Sequence, residues 1–555
     1  MNGKNIGHLR IEAGDVSIYE REDLLEKLNL QGSDFPDEVL LQYAYEKWGV
    51  RCVEHLIGDF AFALYDQGAE CYFCARDQLG VRPLYYSIIE QEFFFANDID
   101  ELFTKYGVNK HPNKQAIDSL INQYVIDYSA TMYEDVYRLP PGHWMLVSDG
   151  QRQVHRYWYP ERIKINQEIT REEAADRFRE LFDRAIHSRI NDYRTTAFEL
   201  SGGLDSSSIV SYHRHTDPIQ PLNVYAMHFG EMGCDESVYI NSVAEKHGLF
   251  PHYLRSDRID YTVDYDMAFN YRVNPHWPLL VTFTTVFPML EQMSTEGIRT
   301  IISGQGGDHI HTGSPYVLAD YLKHFKLYKL TMDLYYTANR MYILKNFVVS
   351  PLLNRYIKKI LKKLLGRGNK TSQQFSQTYD SFIEPASVAS LALRQELQWL
   401  TAPSHSMILD SSVFHVVKKL YGIEYRHPFF DIRLVEFMLS LPPEFKFSKG
   451  MTKQLLRRAM KGILPEKIRT RQDKAEFSDV LLQQIDAIDL KVFFANPKIV
   501  EFGFIELQTI DGLIQSYHQH ELTIHRIVFF WRIINIEYWY QYHFGEVTSN
   551  GMYES

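Results

Sequence analysis

The residues with the clearest chemical potential lie in the segment ELSGGLDSSSIV, residues 199–210. Gly202 and Gly203 allow a sharp turn after an apolar strand, and the serines that follow favour a helix start, whose free N–H groups attract an anion such as phosphate. Asp205 lies among these groups, where a metal ion or a basic partner would stabilise a carboxylate. A bare SGG is typical of an ordinary serine-capped turn, but the full SGGxDSS pattern is more specific and predicts a phosphate site.

Such a turn needs a parallel sheet to position it, and the second part of the sequence predicts one. Before residue 156, runs such as DFAFALYD and CYFCARD show the aromatic and β-branched alternation of antiparallel sheet. After residue 170, long helical patterns alternate with short apolar runs such as TAFELSGG and LNVYAMHF, which predicts βαβ units. The expected fold class is therefore α/β, with an antiparallel β-rich domain at 1–165 and a parallel-sheet domain at 170–555.

Composition limits the class of protein and its partners. A chain of 555 residues with 45% hydrophobic and 14% aromatic residues is globular and has room for more than one domain. The net charge of −11 argues against a nucleic-acid partner. Four cysteines are too few for a disulfide scaffold and indicate a reducing, cytoplasmic location; Cys71 and Cys74 have CxxC spacing but fit a strand better than a metal site. No signal peptide and no membrane span are expected.

SGGLDSS resembles the pyrophosphate loop of the ATP pyrophosphatase superfamily, which cleaves ATP between the α- and β-phosphates and activates substrates as adenylates. Three more segments resemble, in order, the asparagine synthetase-like amide ligases of that superfamily: IISGQGGDHI, IEYRHPFFDIRLVEFMLSLPPEFKF and TKQLLRRAMKGILPEKIRTRQDKAEFSD. The resemblance covers nearly the whole chain. It implies an amide-bond synthetase that uses ATP and Mg²⁺ and releases AMP and pyrophosphate.

The resemblance implies a site built from two loops. The residues that match its pyrophosphate and magnesium positions are Ser201, Gly202, Gly203, Asp205 and Ser206 in the first loop, and Ser303, Gly304 and Asp308 in the second. Asp205 and Asp308 are the expected metal ligands, because Mg²⁺ takes one or two carboxylates and keeps several waters. Lys474 matches the family lysine that neutralises charge while a carboxylate attacks the α-phosphate.

The N-terminal region resembles the glutamine amidotransferase domain of asparagine synthetases through SIYEREDLLEKL, FPDEVLLQYAYEKWG, LIGDFAFALYD and ARDQLGVRPLYY. That family uses a cysteine directly after the initiator methionine, where this chain has Asn2, and the chain starts inside the usual domain. The family's glutamine-side Asn-Gly-Glu pattern is also missing. We therefore expect a degenerate, truncated amidotransferase-like domain without glutaminase activity.

Gln305 is a second departure, since asparagine synthetases have glutamate at this position in an S-G-E-G string. A neutral amide cannot act as a general base, which argues against ammonia as the nucleophile. An α-amino group, with a pKa of about 7.7–8.0, is already partly neutral at pH 7. Gln305 therefore favours a peptide N-terminus as the attacking amine.

A helical insertion at about 315–400 exceeds what a minimal adenylating domain needs. Within it, the segment ILKNFVVSPLLNRYIKKILKKLLGRGNK contains no acidic residue and carries the basic residues Lys345, Arg355, Lys358, Lys359, Lys362, Lys363, Arg367 and Lys370. Apolar residues recur between them at helical spacing, which predicts a basic amphipathic helix. It either packs on the domain or docks a peptide or partner protein; contact with a membrane surface is a weaker alternative.

Together these features are most similar to lasso-peptide macrolactam synthetases, the cyclases of the asparagine synthetase-like group. The resemblance implies adenylation of an acidic side chain of a peptide, closure onto the peptide's own N-terminal amine, and work beside a leader peptidase and a precursor peptide. Three alternatives remain: an asparagine synthetase that uses free ammonia, a small-molecule cyclase similar to β-lactam synthetase, and an ATP-binding regulatory protein without turnover.

Overall fold

The computed structural model describes most of the chain. The described residues are 6–32, 34–122, 128–255, 283–337, 339–352, 388–401, 407–473, 475 and 477–544.

The N-terminal half contains two antiparallel sheets. Its strands are β1 (Leu9–Ile18), β2 (Gly58–Asp66), β3 (Cys71–Arg76), β4 (Tyr85–Ile89), β5 (Glu92–Ala96), β6 (Val136–Arg138), β7 (His143–Ser148) and β8 (Gln151–Arg156). One sheet has the order β1-β2-β3-β7-β8 and the other β5-β4-β6. Its helices are α1 (Arg21–Leu28), α2 (Asp37–Trp48), α3 (Ile99–Thr104) and α4 (Lys114–Asn122).

Side chains of β2 alternate between the two faces of its sheet, and this alternation explains how the sheet packs between the helices and the second sheet. Phe60 and Phe62 face the core shared with α1 and α2, whereas Ala61 and Ala63 face the second sheet. Successive side chains of a strand point to opposite faces, so β2 is buried on both sides. Cys71 and Cys74 lie on β3, and all four cysteines are buried and free.

The C-terminal half is built on a parallel sheet. Its strands are β9 (Thr196–Glu199), β10 (Asn223–His228), β11 (His252–Arg255), β12 (Thr300–Ile302) and β13 (Glu424–Arg426), in the order β11-β10-β9-β12-β13. All four strand pairings are parallel. The antiparallel half followed by a parallel-sheet half confirms the predicted α/β fold class.

Helices cover this sheet and extend beyond it. They are α5 (Arg171–His187), α6 (Leu204–Thr216), α7 (Ser237–His247), α8 (Phe283–Thr295), α9 (Gly307–His311), α10 (Val317–Lys323), α11 (Leu327–Tyr336), α12 (Arg340–Ile343), α13 (Leu391–Thr401), α14 (Met407–Tyr421), α15 (Ile432–Leu439), α16 (Gln454–Ala459), α17 (Glu466–Arg469), α18 (Ser478–Asp486), α19 (Leu490–Phe493), α20 (Lys498–Glu501), α21 (Leu507–His518) and α22 (Ile524–Phe544). Thr170 and Glu173 form a capping box that starts α5. In the described part of the chain, no helix has both the length and the apolar character needed to cross a bilayer.

The predicted basic helix can be compared with the structure only at its start. Lys345 lies in a π-helical turn, Leu344–Val349. Arg355, Lys358, Lys359, Lys362, Lys363, Arg367 and Lys370 lie outside the described residues.

Candidate active site

The strand order places the two predicted loops next to each other. The chain runs from β9 outward to β10 and β11, and then returns to the other side of β9 as β12. The connections after β9 and β12 therefore diverge, which leaves a crevice at the carboxyl ends of these neighbouring strands. Ser201, Gly202 and Gly203 follow β9, and Ser303, Gly304 and Gln305 follow β12.

The first loop leads directly into α6, which begins at Leu204, slightly before the serines that the sequence suggested as the helix start. The loop is closed by its own serines: the Ser201 backbone nitrogen donates to Ser206 Oγ at 3.0 Å, and the two hydroxyl groups lie 2.8 Å apart. Asp205 and Ser206 thus lie in the first turn of α6. N–H groups of a first turn have no partner within the helix and favour an anion.

Glycines allow the second loop to approach the first. A Cβ atom at Gly304 would lie 2.8 Å from the Ser206 backbone nitrogen, and one at Gly307 would lie 2.3 Å from the Asp205 carboxyl carbon. Both distances are too short for a side chain. The second loop therefore contacts the first turn of α6 through bare backbone, and this contact brings Asp308, in α9, close to Asp205.

A cavity of about 380 Å³ opens between the loops. The predicted residues that line it are Ser201, Gly203, Asp205, Ser206, Ser303, Gly304, Gln305 and Asp308. Apolar side chains complete the wall, among them Met227, Phe229 and Met289. Gly202 does not line the cavity; its backbone nitrogen donates to Glu236 Oε2 at 3.1 Å, and its carbonyl accepts from Arg471 at 3.0 Å.

Lys453 joins the two carboxylates that the sequence predicts as metal ligands. Its Nζ atom lies 2.5 Å from Asp205 Oδ2 and 2.6 Å from Asp308 Oδ1. Burial alone would lower the pKa of Lys453, but the two aspartates outweigh this effect and raise it. The lysine is therefore a cation at neutral pH.

The position of Lys453 also tests whether the loops suit a metal-bound nucleotide. Carboxylate oxygens from separate loops converge on one cationic group, here the lysine ammonium. Oxygen ligands of this kind suit Mg²⁺, and the first turn of α6 offers N–H groups to phosphate oxygens. The donor set fits Mg²⁺ and ATP.

Arg471 fixes the first loop from outside the cavity. Its guanidinium lies 2.5 Å from Glu236, which in turn accepts from Gly202, and it stacks at 3.9 Å from the ring centroid of Tyr239. Arg471 belongs to the same C-terminal segment as Lys474. Lys474 itself lies outside the described residues, so its predicted role stays a prediction.

Glu199, the last residue of β9, also lines the cavity. Its Oε1 accepts a hydrogen bond from the Tyr425 hydroxyl at 2.9 Å. Burial raises the pKa of Glu199, although hydrogen bonds from Ser303 and Tyr425 oppose the increase. The site thus contains a carboxyl group that the sequence motifs did not indicate.

Sequence reasoning missed Lys453, Arg471 and Glu199. Lys453 and Arg471 both lie in the segment TKQLLRRAMKGILPEKIRTRQDKAEFSD, and a signal was available there, because this segment resembles the amide ligases and is rich in cationic residues. Glu199 had a weaker signal, a carboxylate at the end of an otherwise apolar strand, directly before the glycine turn.

Comparison with known proteins matches both parts of the chain to protein families. The family model described as asparagine synthase matches residues 177–541, and the model described as glutamine amidotransferase domain matches residues 13–158. Together they cover the parallel-sheet half and the antiparallel half.

Individual relatives are distant. A protein named asparagine synthetase [glutamine-hydrolyzing] 2 from Methanocaldococcus jannaschii is 26% identical over 56% of this chain and 59% of its own length. Amidase chry2 from Gibberella zeae is 23% identical over 93% of this chain and 84% of its own. Asparagine synthetase [glutamine-hydrolyzing] 3 from Bacillus subtilis is 24% identical over 81% of this chain and 72% of its own. The match thus spans about three-fifths of the archaeal relative and most of the other two.

Proposed function

We infer the function of this chain from the asparagine synthase family, to which it belongs. Members of this family are ligases that form carbon–nitrogen bonds while converting ATP to AMP and pyrophosphate. The reaction that we propose for this chain closes an amide bond within a peptide. In this proposal the enzyme adenylates an Asp or Glu side chain, and the peptide's own N-terminal amine attacks it. The product is an isopeptide macrolactam of the lasso-peptide type.

The observation that carries the proposal is Gln305. It lines the cavity on the second loop, at a position where the resemblance to asparagine synthetases implies glutamate. An amide side chain cannot take a proton from ammonium. A peptide α-amine needs less help, because a larger fraction of it is neutral at pH 7.

The chain's own residues supply the binding steps. The first turn of α6 and the serines of the first loop would hold the phosphates of ATP, and Asp205 and Asp308 would hold Mg²⁺, which neutralises phosphate charge when bound. Lys453 adds a fixed positive charge beside them. Lys474 is proposed to face the carboxylate as it attacks the α-phosphate.

Tethering would supply much of the rate of ring closure. Groups that are joined and aligned reach effective molarities of roughly 10⁵ M or more. The enzyme's main task in the second step is then to hold the peptide prefolded around the cavity. A precursor peptide and a leader peptidase that frees its N-terminus are the partners that this chemistry requires.

Asparagine synthesis from ammonia is the second candidate. The names of the M. jannaschii and B. subtilis relatives favour asparagine synthesis, although both names specify glutamine hydrolysis. It uses the same adenylating site and differs only in the substrate and the nucleophile. A small-molecule cyclase similar to β-lactam synthetase would also use that site.

The test supplies the purified chain with ATP, Mg²⁺ and either aspartate with ammonium or a core peptide encoded beside its gene. Loss of one water mass from the peptide, together with AMP and pyrophosphate, supports cyclisation. Efficient asparagine formation without a peptide product refutes it in favour of the second candidate. The Asp205→Asn variant is the matched control, because a product that it forms at the unaltered rate comes from another enzyme.

A further inference from the structure

The carboxyl group of Glu199 lies at a meeting point of three neighbouring strands. Glu199 ends β9, Ser303 directly follows β12, and Tyr425 lies on β13. The Tyr425 hydroxyl donates to Glu199 Oε1 at 2.9 Å, and the Ser303 side chain also bonds to Glu199. The carboxyl group is thus held from two sides at the carboxyl end of the sheet.

A hydrogen-bonded chain links this carboxyl group to the second loop. Ser303 Oγ accepts from the Gln305 backbone nitrogen at 3.2 Å, while the same side chain bonds to Glu199. Both Glu199 and Gln305 line the cavity that also contains Asp205 and Asp308. Glu199 therefore lies in the same cavity as the residue whose amide cannot act as a base.

The surroundings of Glu199 suit a group that takes up a proton. An ionised carboxylate has about four acceptor positions, and two neighbouring donors leave space for a further one. Burial raises the pKa of Glu199 above its usual value, which makes the carboxylate a stronger base. Burial and the nearby Glu199 raise the pKa of Tyr425 well above its usual value, so its hydroxyl stays a donor.

We propose that Glu199 is the proton acceptor for the attacking amine in the amide-forming step. In that step the amine nitrogen forms a bond to the carbonyl carbon of the acyl adenylate, and the carbon–oxygen bond to AMP breaks, with its electron pair leaving on AMP. One amine proton passes to a Glu199 carboxylate oxygen and then to water after product release. The inference rests on the proposed amide-forming function. It concerns the proton that a neutral amine releases as the carbon–nitrogen bond forms, and not the earlier deprotonation of ammonium, for which Gln305 supplies no base.

The experiment separates the two half-reactions with hydroxylamine, a nucleophile that is largely unprotonated at neutral pH and needs little help from a base. The unaltered enzyme, Glu199→Gln and Glu199→Ala are each given ATP, Mg²⁺ and a carboxylate: aspartate, or an N-acetylated core peptide. Hydroxamate formation reports the acyl adenylate. Amide formation is measured in parallel with ammonium, or with the core peptide whose amine is free.

Glu199→Gln is expected to form hydroxamate within about twofold of the unaltered enzyme and to form amide roughly 10²–10⁴-fold more slowly. The amide rate of both proteins should fall at acid pH because the attacking amine is protonated, but the further fall that protonation of Glu199 causes in the unaltered enzyme should be missing in Glu199→Gln. Glutamine keeps the size and an acceptor oxygen, so it should preserve the bond from Tyr425 better than alanine does.

Three results would overturn the inference. If Glu199→Gln forms amide at close to the unaltered rate, Glu199 takes no proton. If hydroxamate and amide fall equally in Glu199→Gln, Glu199 only supports the second loop through Ser303. If the unaltered enzyme forms hydroxamate with neither aspartate nor the N-acetylated core peptide, the proposed function itself fails. This result is distinct from the first two, because it concerns the unaltered enzyme and not the Glu199→Gln variant.

Discussion

Lys453 determines the charge balance of the two loops. It is 9% exposed, and its ammonium group lies within 2.6 Å of both Asp205 and Asp308. Replacing it with methionine keeps the length of the side chain but leaves two neighbouring carboxylates without their shared cation. We expect Lys453→Met to lower the rate of pyrophosphate release by roughly 10²-fold or more, because a fixed charge beside the transferring phosphate is lost.

Lys449 provides the matched control for this variant. It lies four residues away, is exposed, and stacks on Tyr336 rather than facing the cavity. Lys449→Met should therefore leave pyrophosphate release almost unchanged. Equal losses in the two variants would show that the effect of Lys453→Met is not specific to the site.

The two aspartates allow a separate prediction about the metal. Asp205→Asn and Asp308→Asn each remove one negative charge from the expected Mg²⁺ ligands, so each should lower the rate by orders of magnitude and raise the Mg²⁺ concentration needed for half-maximal activity. The readout is AMP and pyrophosphate release during a Mg²⁺ titration. Asp511, exposed on α21, gives the control Asp511→Asn. ADP and phosphate as products would contradict the proposed cleavage of ATP.

At the scale of single residues, the sequence predicts a site residue when the motif that contains it lies within one short segment. The SGGLDSS loop carries its glycine turn, helix start and carboxylate within seven residues, and four of them, Ser201, Gly203, Asp205 and Ser206, line one cavity. Lys453 contacts Asp205 from 248 positions along the chain, and Tyr425 contacts Glu199 from 226. Residues that are so far apart along the chain produce no periodic pattern in the sequence. These two pairs are therefore visible only in the folded structure.

Between elements, the closest contact at the site is that of the second loop with α6. A Cβ at Gly307 would lie 2.3 Å from the Asp205 carboxyl carbon, so Gly307→Ala must push the carboxylate away or separate the loop from the helix. We expect this variant to lose most of its pyrophosphate release. Activity and the free energy of unfolding should be measured together, because overpacking costs about 1–3 kcal/mol as well.

Gly512, inside α21, is the matched glycine for this experiment. A Cβ there would meet no atom within 4 Å. Gly512→Ala should keep full activity and raise the free energy of unfolding by about 0.4–1 kcal/mol, because alanine restricts the unfolded chain. Full activity in Gly307→Ala would contradict the close approach of the second loop to α6.

Strand positions were largely predictable, whereas the order of the strands was not. The runs TAFELSGG, LNVYAMHF and RTIISGQGG contain β9, β10 and β12. Apolar residues bounded by polar turns mark such buried strands. The order β11-β10-β9-β12-β13 depends on packing between segments more than a hundred residues apart, and it is this order that creates the crevice.

Across the whole molecule, the two halves are joined through buried charged groups rather than through apolar side chains alone. Asp15 of β1 lies 2.8 Å from Lys418 of α14, and Arg82 forms an ion pair with Glu424 of β13. Ser17 donates to the same Glu424 carboxylate at 2.7 Å. The antiparallel half therefore contacts the edge strand of the parallel sheet directly, and it supports the sheet that carries the site.

The C-terminal helix adds a second connection between the halves. Arg532 of α22 donates to the Ile121 carbonyl of α4 at 3.2 Å, and Trp539 packs against Tyr133 with ring centroids 5.4 Å apart. The last helix thus closes over the N-terminal half. Such contacts join distant parts of the chain, so sequence patterns indicate the domains but not how they are held together.

The pH dependence of stability tests the charged interface. Arg82 and Arg426 outweigh burial and lower the pKa of Glu424 to about 2, against about 4.3 in an unfolded chain. Because the folded pKa is the lower one, this carboxylate stabilises the protein fully above about pH 5, and the stabilisation is lost as pH falls toward 2. Glu424→Gln also removes the nearer of the two carboxylates that pair with Arg82, the other being Asp15 at 3.8 Å, so it should lower the free energy of unfolding at pH 7 by about 3–5 kcal/mol.

Urea unfolding of the unaltered chain and of Glu424→Gln, at pH 7 and at pH 4, measures this effect. The difference between the two proteins should shrink slightly at the lower pH, because Glu424 begins to take up a proton in the unfolded chain while its lowered pKa keeps it ionised in the folded chain. Glu501→Gln is the control: Glu501 pairs with Lys498 on the surface at 2.8 Å, and such pairs contribute about 0–1 kcal/mol. If the loss in Glu424→Gln is as small as in this control, or is the same at both pH values, the buried charges do not hold the two halves together.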